Sequence, residues 1–257
     1  MTKYTTENGA IIGATETSFG IIEQLQEENG TSVTELSETL GVSKSTVHNH
    51  LQTLRQLGYV IKDDGQYRLG LRFLGLGDRA RERHGIYHVA KSEADSLVGA
   101  VGERVQVMVE EGGVGIYIYQ SLADQAVRTD SHIGTVINLH ATSVGKAYLA
   151  ALPEDERAQV LDRMELTAQT PKTLTDRVTL ESELDEIADR GYALNDEERT
   201  VGMRAVGAAI RSDDDRVLGA ISVSGPTTRM TGTWFREEVP DMVAQAARVI
   251  GIKATYS

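Results

Sequence analysis

Hydrogen-bond donors are concentrated in a stretch of the sequence that has no acidic residue. Positions 39–62 carry no Asp or Glu, although the whole chain has 38 acidic and 26 basic residues. Short or flexible donors can reach base edges on the floor of a nucleic-acid groove, and basic side chains can neutralise phosphates. We expect Ser45 and Asn49 to contact bases, and Lys44 and Arg55 to contact phosphates. The donors of this stretch are Ser43, Lys44, Ser45, Thr46, His48, Asn49, Gln52 and Arg55.

Residues that would support an enzyme are sparse. The chain has no cysteine, which excludes disulfides, thiolate metal clusters and a cysteine nucleophile. The sequence lacks a Gly-x-Ser-x-Gly nucleophile elbow, a His-Glu-x-x-His metal helix and a phosphate-binding loop ending in Gly-Lys-Ser or Gly-Lys-Thr. His84 and His88 are four positions apart, as in a metal-binding pair, but Gly85 disturbs the shared helix face and further ligands are missing. We therefore expect no metal, no cofactor and no catalytic residue.

Helical periodicity and turn residues predict the elements that position the donor face. The donor helix follows a turn at Gly41, is capped by Ser43, and carries an apolar face opposite the donors. A hairpin turn of sequence Asp-Asp-Gly comes next. Helix, helix, turn, polar-faced helix and hairpin together are typical of a winged helix-turn-helix domain. The predicted elements are helices at Thr17–Glu28 (ended by Asn29-Gly30), from Ser32, and from Ser43 to Gly58, then strands at Tyr59–Lys62 and Gln66–Leu69.

The second half of the chain shows the mixed pattern of an α+β domain. Alternating, β-branched strands joined by glycines predict an antiparallel sheet, and amphipathic segments predict helices on one side of it. The predicted helices are Tyr87–Val101, Ser143–Ala151, Glu154–Met164, Thr179–Arg190 and Pro240–Ile252. The predicted strands are Val105–Glu110, Gly115–Gln120, Ala205–Arg211 and Val217–Ser224, with Ala126–Ile133 and Thr135–Leu139 extending the first hairpin.

Four motifs carry a resemblance to a known family. The helix-turn-helix stretch reads VTELSETLGVSKSTVHNHLQTLRQLGYV, and the second half carries, in order, HATSVGKAYLAALP, GYALNDEERTVGMRAVGAAI and VLGAISVSGPTTRM. In content, order and spacing these stretches resemble the IclR family of transcription regulators. The resemblance implies a DNA-binding homodimer or homotetramer whose C-terminal, GAF-like domain senses a small molecule. We predict three parts: a winged helix-turn-helix domain at 11–70, a linker helix at 71–85 and an effector-binding domain at 86–257.

The resemblance also implies where the effector binds. Matching the family motifs position by position gives a pocket of Ile137, Ser143, Val144, Asn195, Met203, Ala205, Ser222 and Ser224. Asn195 stands where the family often has Asp, and Ala205 stands where Cys is common. We expect neutral donors and a helix N-terminus to hold a carboxylic acid or a sugar-derived acid, while the acidic residues at 196–198 face solvent. A flat aromatic effector is the weaker alternative.

Composition bounds the remaining expectations. Only seven of the 26 basic residues are lysines, and such an acid-rich, lysine-poor chain suits a halophilic source. The apolar runs are too short to span a bilayer and the first ten residues do not form a signal peptide, so we expect a cytoplasmic protein without a membrane partner. Double-stranded DNA with a palindromic operator is the expected partner. The alternative is a ligand-binding signalling module or a small-molecule enzyme without DNA binding, which would need neither the acid-free helix nor the wing.

Overall fold

A computed structural model of the chain describes residues 10–28 and 30–256. The chain divides into two compact units, with the division between Arg83 and His84. Asn29, part of the predicted stop of the first helix, lies outside the described residues.

The N-terminal unit is a winged helix-turn-helix domain followed by one further helix. Its elements are α1 (Gly13–Glu27), α2 (Val33–Leu40), α3 (Lys44–Gln56), β1 (Val60–Asp63), β2 (Gln66–Leu69) and α4 (Arg72–Glu82). The sequence-predicted fold class of this unit is confirmed. The first helix starts at Gly13, four residues earlier than predicted. Residues 13–16 add no buried apolar side chain, so hydrophobic periodicity did not indicate this first turn.

Local sequence signals account for the boundaries of these elements. Ser32 and Glu35 form the predicted capping box at the start of α2. Gly41 ends α2 in the left-handed region, at φ 65°, where an L-residue would be strained. The β1–β2 turn is a tight hairpin with Asp64 and Gly65 both at positive φ, the geometry that matches the twist of the two strands.

One apolar core holds this unit together. Side chains from all three helices of the helix-turn-helix meet two residues of the hairpin there. In α3 the buried face consists of Val47, Leu51 and Leu54, so the helix presents its other face to solvent. The complete cluster is Ile21, Leu25, Leu36, Val47, Leu51, Leu54, Val60 and Tyr67.

The C-terminal unit is an α+β domain built on a six-stranded antiparallel sheet. The strand order is β5-β4-β3-β8-β7-β6. Its helices are α5 (Tyr87–Val101), α6 (Ser143–Ala151), α7 (Glu154–Arg163), α8 (Arg177–Arg190) and α9 (Val239–Thr255). Its strands are β3 (Arg104–Glu111), β4 (Val114–Leu122), β5 (Val136–Ile137), β6 (Ala193–Asp196), β7 (Met203–Arg211) and β8 (Val217–Pro226).

Helices cover both faces of this sheet, so the prediction of helices on one side was wrong. One core lies between the sheet and α5 and α9, and includes Val107, Ile221 and Ile250. The other lies between the sheet and α6 and α8, and includes Met108 and Leu184. Because neighbouring strand residues point to opposite faces, alternation in β3 supplies both cores. The two faces of β3 differ in character: Val105, Val107 and Val109 lie in the core with α5 and α9, while the opposite face carries Arg104, Gln106 and Met108.

Two further strand predictions differ from the structure. Residues 126–133 form no strand, since the carbonyl of Val127 and the hydroxyl of Thr129 accept hydrogen bonds from the Arg104 guanidinium instead of pairing in a ladder. Of the predicted extension at Thr135–Leu139, only Val136–Ile137 forms a strand, β5, which pairs with β4. Strand β6 was not predicted; it adds four residues to the edge of the sheet beside β7.

Candidate functional site

The DNA-facing candidates lie on the exposed half of α3. Ser43 caps the helix, with its Oγ accepting the Thr46 N–H at 3.1 Å and lying 2.8 Å from the Ser45 Oγ. Thr46 is half-buried, and the remaining predicted residues are exposed on one side of the helix: Lys44, Ser45, His48, Asn49, Gln52 and Arg55. The structure therefore brings the predicted donors together on one surface. The hydrogen bond between the Ser43 and Ser45 hydroxyls fixes the position of the Ser45 side chain.

The wing beside this helix is not uniformly basic. Its turn carries Asp63 and Asp64, and Arg68 forms an ion pair with Asp63 at 2.6 Å. The Lys62 ammonium lies 5.1 Å from the centre of the Tyr67 ring. Positive charge for phosphate contacts thus comes from α3 more than from the tip of the wing.

A cavity in the C-terminal unit contains most of the predicted effector residues. It lies on the sheet at the start of α6 and has an empty volume of about 450 Å³, including its open mouth. Six predicted residues line it: Ser143, Asn195, Met203, Ala205, Ser222 and Ser224. The structure also places there Arg104, Gln106, Tyr117, Thr129, Thr142, Arg199, Thr200 and Arg204.

Strand register sets the floor of the cavity as two rows of side chains. In one row Ser224 lies opposite Arg104 on one side and Ala205 on the other. In the next row Ser222 lies between Gln106 and Gly207. Within the described residues, the hydroxyls of Ser222 and Ser224 have no hydrogen-bond partner, so they are available to a ligand.

The first turn of α6 rests directly on this floor. A Cβ at Gly207 would lie 2.6 Å from the backbone of Ser143, and a Cβ at Gly145 would overlap the carbonyl of Leu139. Thr142 caps the helix by accepting the N–H of Gly145 at 3.1 Å. The remaining first-turn N–H groups lack intrahelical partners and favour an anion. Only glycine at position 207 permits the close approach of Ser143 to the sheet, and this approach brings the N-terminus of α6 to the row that contains Ser222.

Two predicted residues lie outside the cavity. Ile137 and Val144 are buried in the apolar core between the sheet and α6 and α8. They therefore support the site from behind without forming its walls.

Asn195 lines the cavity, but its amide is already engaged on both sides. Its Nδ2 donates to the Ala141 carbonyl at 2.8 Å, and its Oδ1 accepts the Glu198 N–H at 3.2 Å. The amide thus ties the start of α6 to the segment after β6. A carboxylate could not donate to the Ala141 carbonyl, which gives the Asn at this position a physical reason.

The prediction that the pocket presents only neutral donors and a helix N-terminus was wrong. Arg104 and Arg199 both line the cavity. Arg199 donates to the Ser131 Oγ at 2.8 Å and lies 3.4 Å from a carboxylate oxygen of Asp130. Starting the predicted strand at Val105 hid Arg104, although it shares a face with Gln106 by strand alternation.

Glu198 is buried, so the prediction that residues 196–198 all face solvent was wrong for this residue. The Lys146 ammonium, itself fully buried, lies 2.7 Å from Oε1 of Glu198 and 2.8 Å from Oε1 of Glu183. Burial raises the pKa of the Glu198 carboxyl, and the Lys146 charge opposes that rise. This ion cluster holds the segment after β6 against α6.

Neither a metal site nor a membrane span is found in the described part of the chain. No group of three or more His, Asp or Glu side chains in residues 10–28 and 30–256 could hold a metal ion. No helix in these same ranges is both long and apolar enough to cross a bilayer. The ring of His88 packs against Tyr87, with ring centres 5.0 Å apart.

Known proteins share both units. The family model "IclR helix-turn-helix domain" matches residues 15–64, and "Bacterial transcriptional regulator IclR C-terminal" matches residues 79–252. The "Probable HTH-type transcriptional regulator ArcR" of Halobacterium salinarum is 34% identical over 237 residues, covering 91% of this chain and 90% of that protein. The HTH-type transcriptional regulator XynR of Escherichia coli is 31% identical over 250 residues, covering 95% and 99%.

Solved structures show the same arrangement of elements. The crystal structure of the Thermotoga maritima IclR has a TM-score of 0.81 at 28% identity and covers 95% of this chain and 99% of that one. An IclR homolog from Microbacterium hydrocarbonoxydans, complexed with 4-hydroxybenzoate, has a TM-score of 0.76 at 21% identity and covers 93% and 99%. The chain belongs to the IclR family of DNA-binding transcriptional regulators, with an N-terminal helix-turn-helix domain and a C-terminal effector-binding domain.

Proposed function

We propose that α3 reads the operator through its exposed face. Asn49 contacts a base edge, Ser45 and Gln52 lie on the same side, and Lys44 and Arg55 neutralise phosphates. The main support for this proposal is that α3 buries its apolar face and exposes the donors, in a stretch of the sequence without acidic residues. Because DNA is the partner, we place the protein in the cytoplasm as a regulator rather than an enzyme.

We infer that the regulator is a homodimer on a palindromic operator, and that α4 contributes to its interface. None of the residues of α4, all of them described, is buried in the single chain. Leu74 and Leu76, together with Leu71 just before the helix, are more than half exposed. Leu71 and Leu74 are three positions apart and share a face, and an exposed apolar face is typical of an interaction surface. A dimer places two reading helices on two half-sites.

Light scattering tests the assembly. At working salt and micromolar concentration we expect the mass of a dimer, and a Leu71→Glu, Leu74→Glu variant is expected to shift toward the monomer. High-salt runs belong in the same series, because an acidic chain repels itself in dilute buffer. A monomer at both salt levels would contradict the proposal, and a tetramer would show that a second interface exists.

We propose that the effector is a small organic acid held in the cavity by Ser143, Ser222 and Ser224. The serine hydroxyls and the α6 N-terminus both favour a carboxylate. Met203 and Ala205 form the apolar part of the lining. The Microbacterium homolog's complex with 4-hydroxybenzoate concerns an acid too, although the mainly polar lining here favours a hydroxylated acid over a flat aromatic one. Regulation requires that the acid bind the DNA-competent and released states with different affinity.

Operator release tests this function. A labelled duplex from upstream of the protein's own gene is titrated at fixed salt, and candidate organic acids are added while anisotropy is followed. We expect the acid to release the duplex from the wild type. A Ser222→Ala, Ser224→Ala variant is expected to bind the duplex equally well and to remain bound to it at the same acid concentration. Equal release by both proteins would place the effector elsewhere. Failure of the wild type to bind any such duplex would contradict the operator proposal.

The lysine-poor, acidic composition, together with a relative in Halobacterium salinarum, supports a high-salt source. All DNA measurements therefore need a salt series.

A further inference from the structure

Arg104 is a buried charge whose protein partners are all neutral. The residue is 3% exposed. Its Nη1 donates to the Thr129 hydroxyl and its Nη2 donates to the Val127 carbonyl. Its Nε is buried and has no hydrogen-bond partner among the described residues. One donor of this guanidinium is therefore unsatisfied at a side chain that lines the effector cavity.

The nearby carboxylates are committed to other cations. Glu103, the preceding residue, is paired through both oxygens with Arg229. Asp130 is exposed and lies next to Arg199. No carboxylate in the described ranges is within ion-pair distance of Arg104, and burial lowers the pKa of its guanidinium. A buried charge without a counter-ion is costly, so an anion arriving in the cavity would relieve that cost.

Arg104 belongs to a different row of the floor from the one under α6. Ser222 and Gln106 form the row next to the helix start, while Arg104 and Ser224 form the next one. Two residues along a strand separate the rows by about 7 Å at roughly 3.3 Å per residue. The cavity thus offers two anion-binding positions, one at the α6 N-terminus and one at the guanidinium. Hydroxyl and amide side chains also line the cavity: Thr142 and Asn195 are already hydrogen-bonded within the protein, and Ser143 and Thr200 add further hydroxyls.

We propose that the effector is a polyhydroxylated diacid, with one carboxylate at the start of α6 and the second paired with Arg104. The inference rests on the proposed function of the cavity and adds the second charge and its partner. Arg199 lies at the same cavity and adds to the positive potential, although Asp130 offsets part of its charge. A monoacid held at the start of α6 would leave the Arg104 charge without a counter-ion.

Matched diacids and monoacids test the second charge. Galactarate is compared with galactonate, glucarate with gluconate, and glutarate with butyrate, by calorimetry and thermal shift at constant ionic strength. We expect at least one diacid to bind the wild type about tenfold or more tightly than its matched monoacid, because hydrogen bonds to charged groups are strong. Arg104→Gln is expected to remove this preference, and Arg104→Lys to retain part of it.

Arg128→Gln is the control for the loss of one positive charge. Arg128 is exposed and lies near Arg104 beside a neighbouring cavity, so this variant is expected to keep the diacid preference. Thermal shifts are compared as the difference between bound and free protein within each variant, which separates a ligand contact from a loss of fold stability.

Three results would overturn the inference: equal affinity for diacid and monoacid in the wild type, full preference retained by Arg104→Gln, or no binding of any of the three diacids. The outcome is distinct from that of the operator experiment. A monoacid that releases DNA through the serines leaves the proposed function standing and overturns the second charge. A diacid that binds through Arg104 without affecting DNA supports the second charge and contradicts regulation by this cavity.

Discussion

Replacing Lys146 with Met tests the ion cluster behind the effector cavity. The change removes the positive charge and keeps the apolar stem, so the Glu198 carboxylate, 10% exposed at its side chain, remains in a dry site. Breaking a buried pair from one side costs about 3–5 kcal/mol of folding free energy. Glu183 is a quarter exposed and can turn to water, so we expect the low end, about 3 kcal/mol.

A control variant distinguishes the effect of breaking a buried ion pair from the effect of losing any one lysine. Lys172 pairs with Glu197 at 2.7 Å near the same strand end, but its side chain is half exposed. Lys172→Met is therefore expected to cost much less than Lys146→Met, because an exposed ion pair contributes little to stability. A Lys146→Met, Glu198→Leu double variant removes both buried charges and should recover most of the loss, since apolar replacement of a whole pair is often neutral.

Urea unfolding at fixed ionic strength gives the free energies. Trp234, the one tryptophan of the sequence, packs against the core of the C-terminal unit, so its fluorescence follows that unit. Losing Lys146 raises the pKa of Glu198 further above its unfolded value. Below that raised pKa the folded state takes up a proton, so the deficit is expected to be smaller near pH 5 than near pH 8. A deficit that is independent of pH, or equal to that of Lys172→Met, would refute the reasoning.

Three further outcomes are expected. Asn49→Ala relaxes specificity by about 1–3 kcal/mol at one base pair, whereas Lys44→Ala weakens all sequences alike and flattens the salt slope; anisotropy with single-base-pair operator variants distinguishes them, and identical effects would contradict the assignment. Ser43→Ala removes the α3 cap and lowers stability by about 0.5–2 kcal/mol, measured by thermal melting followed by circular dichroism. Gly207→Ala is destabilised by about 1–3 kcal/mol through overpacking in the urea assay. Gly99→Ala, in a helix with open space around the position, is neutral or more stable, and a similar loss in both glycine variants would rule out the close contact.

The N-terminal unit could be predicted well because its signals are local. The capping box of Ser32 and Glu35, the left-handed Gly41 and the Asp64-Gly65 turn each depend on residues a few positions apart. Such signals remain valid whatever the rest of the chain does.

The effector cavity was predicted only in part because its decisive contacts are distant in sequence. Arg104 donates to the Val127 carbonyl across 23 residues, within the stretch 126–133 where a strand was predicted and none forms. Lys146 and Glu198 are 52 residues apart, and the burial of that acidic side chain follows from their pairing. The three arginines that line the cavity, Arg104, Arg199 and Arg204, were missed for the same reason, since their hydrogen bonds reach residues distant in sequence.

The close packing at Gly207 fixes one wall of the cavity, since a Cβ there would lie 2.6 Å from the backbone of Ser143. The start of α6 meets the sheet backbone to backbone, and packing of this density does not deform continuously. The cavity is also lined by residues of the segment after β6, where side-chain contacts of Glu198 with the Lys146 ammonium and of the Arg199 guanidinium with Ser131 hold the chain. Such contacts can exchange partners when an anion enters. We therefore expect mutations that uncouple ligand binding from DNA release to cluster in that segment rather than in α6.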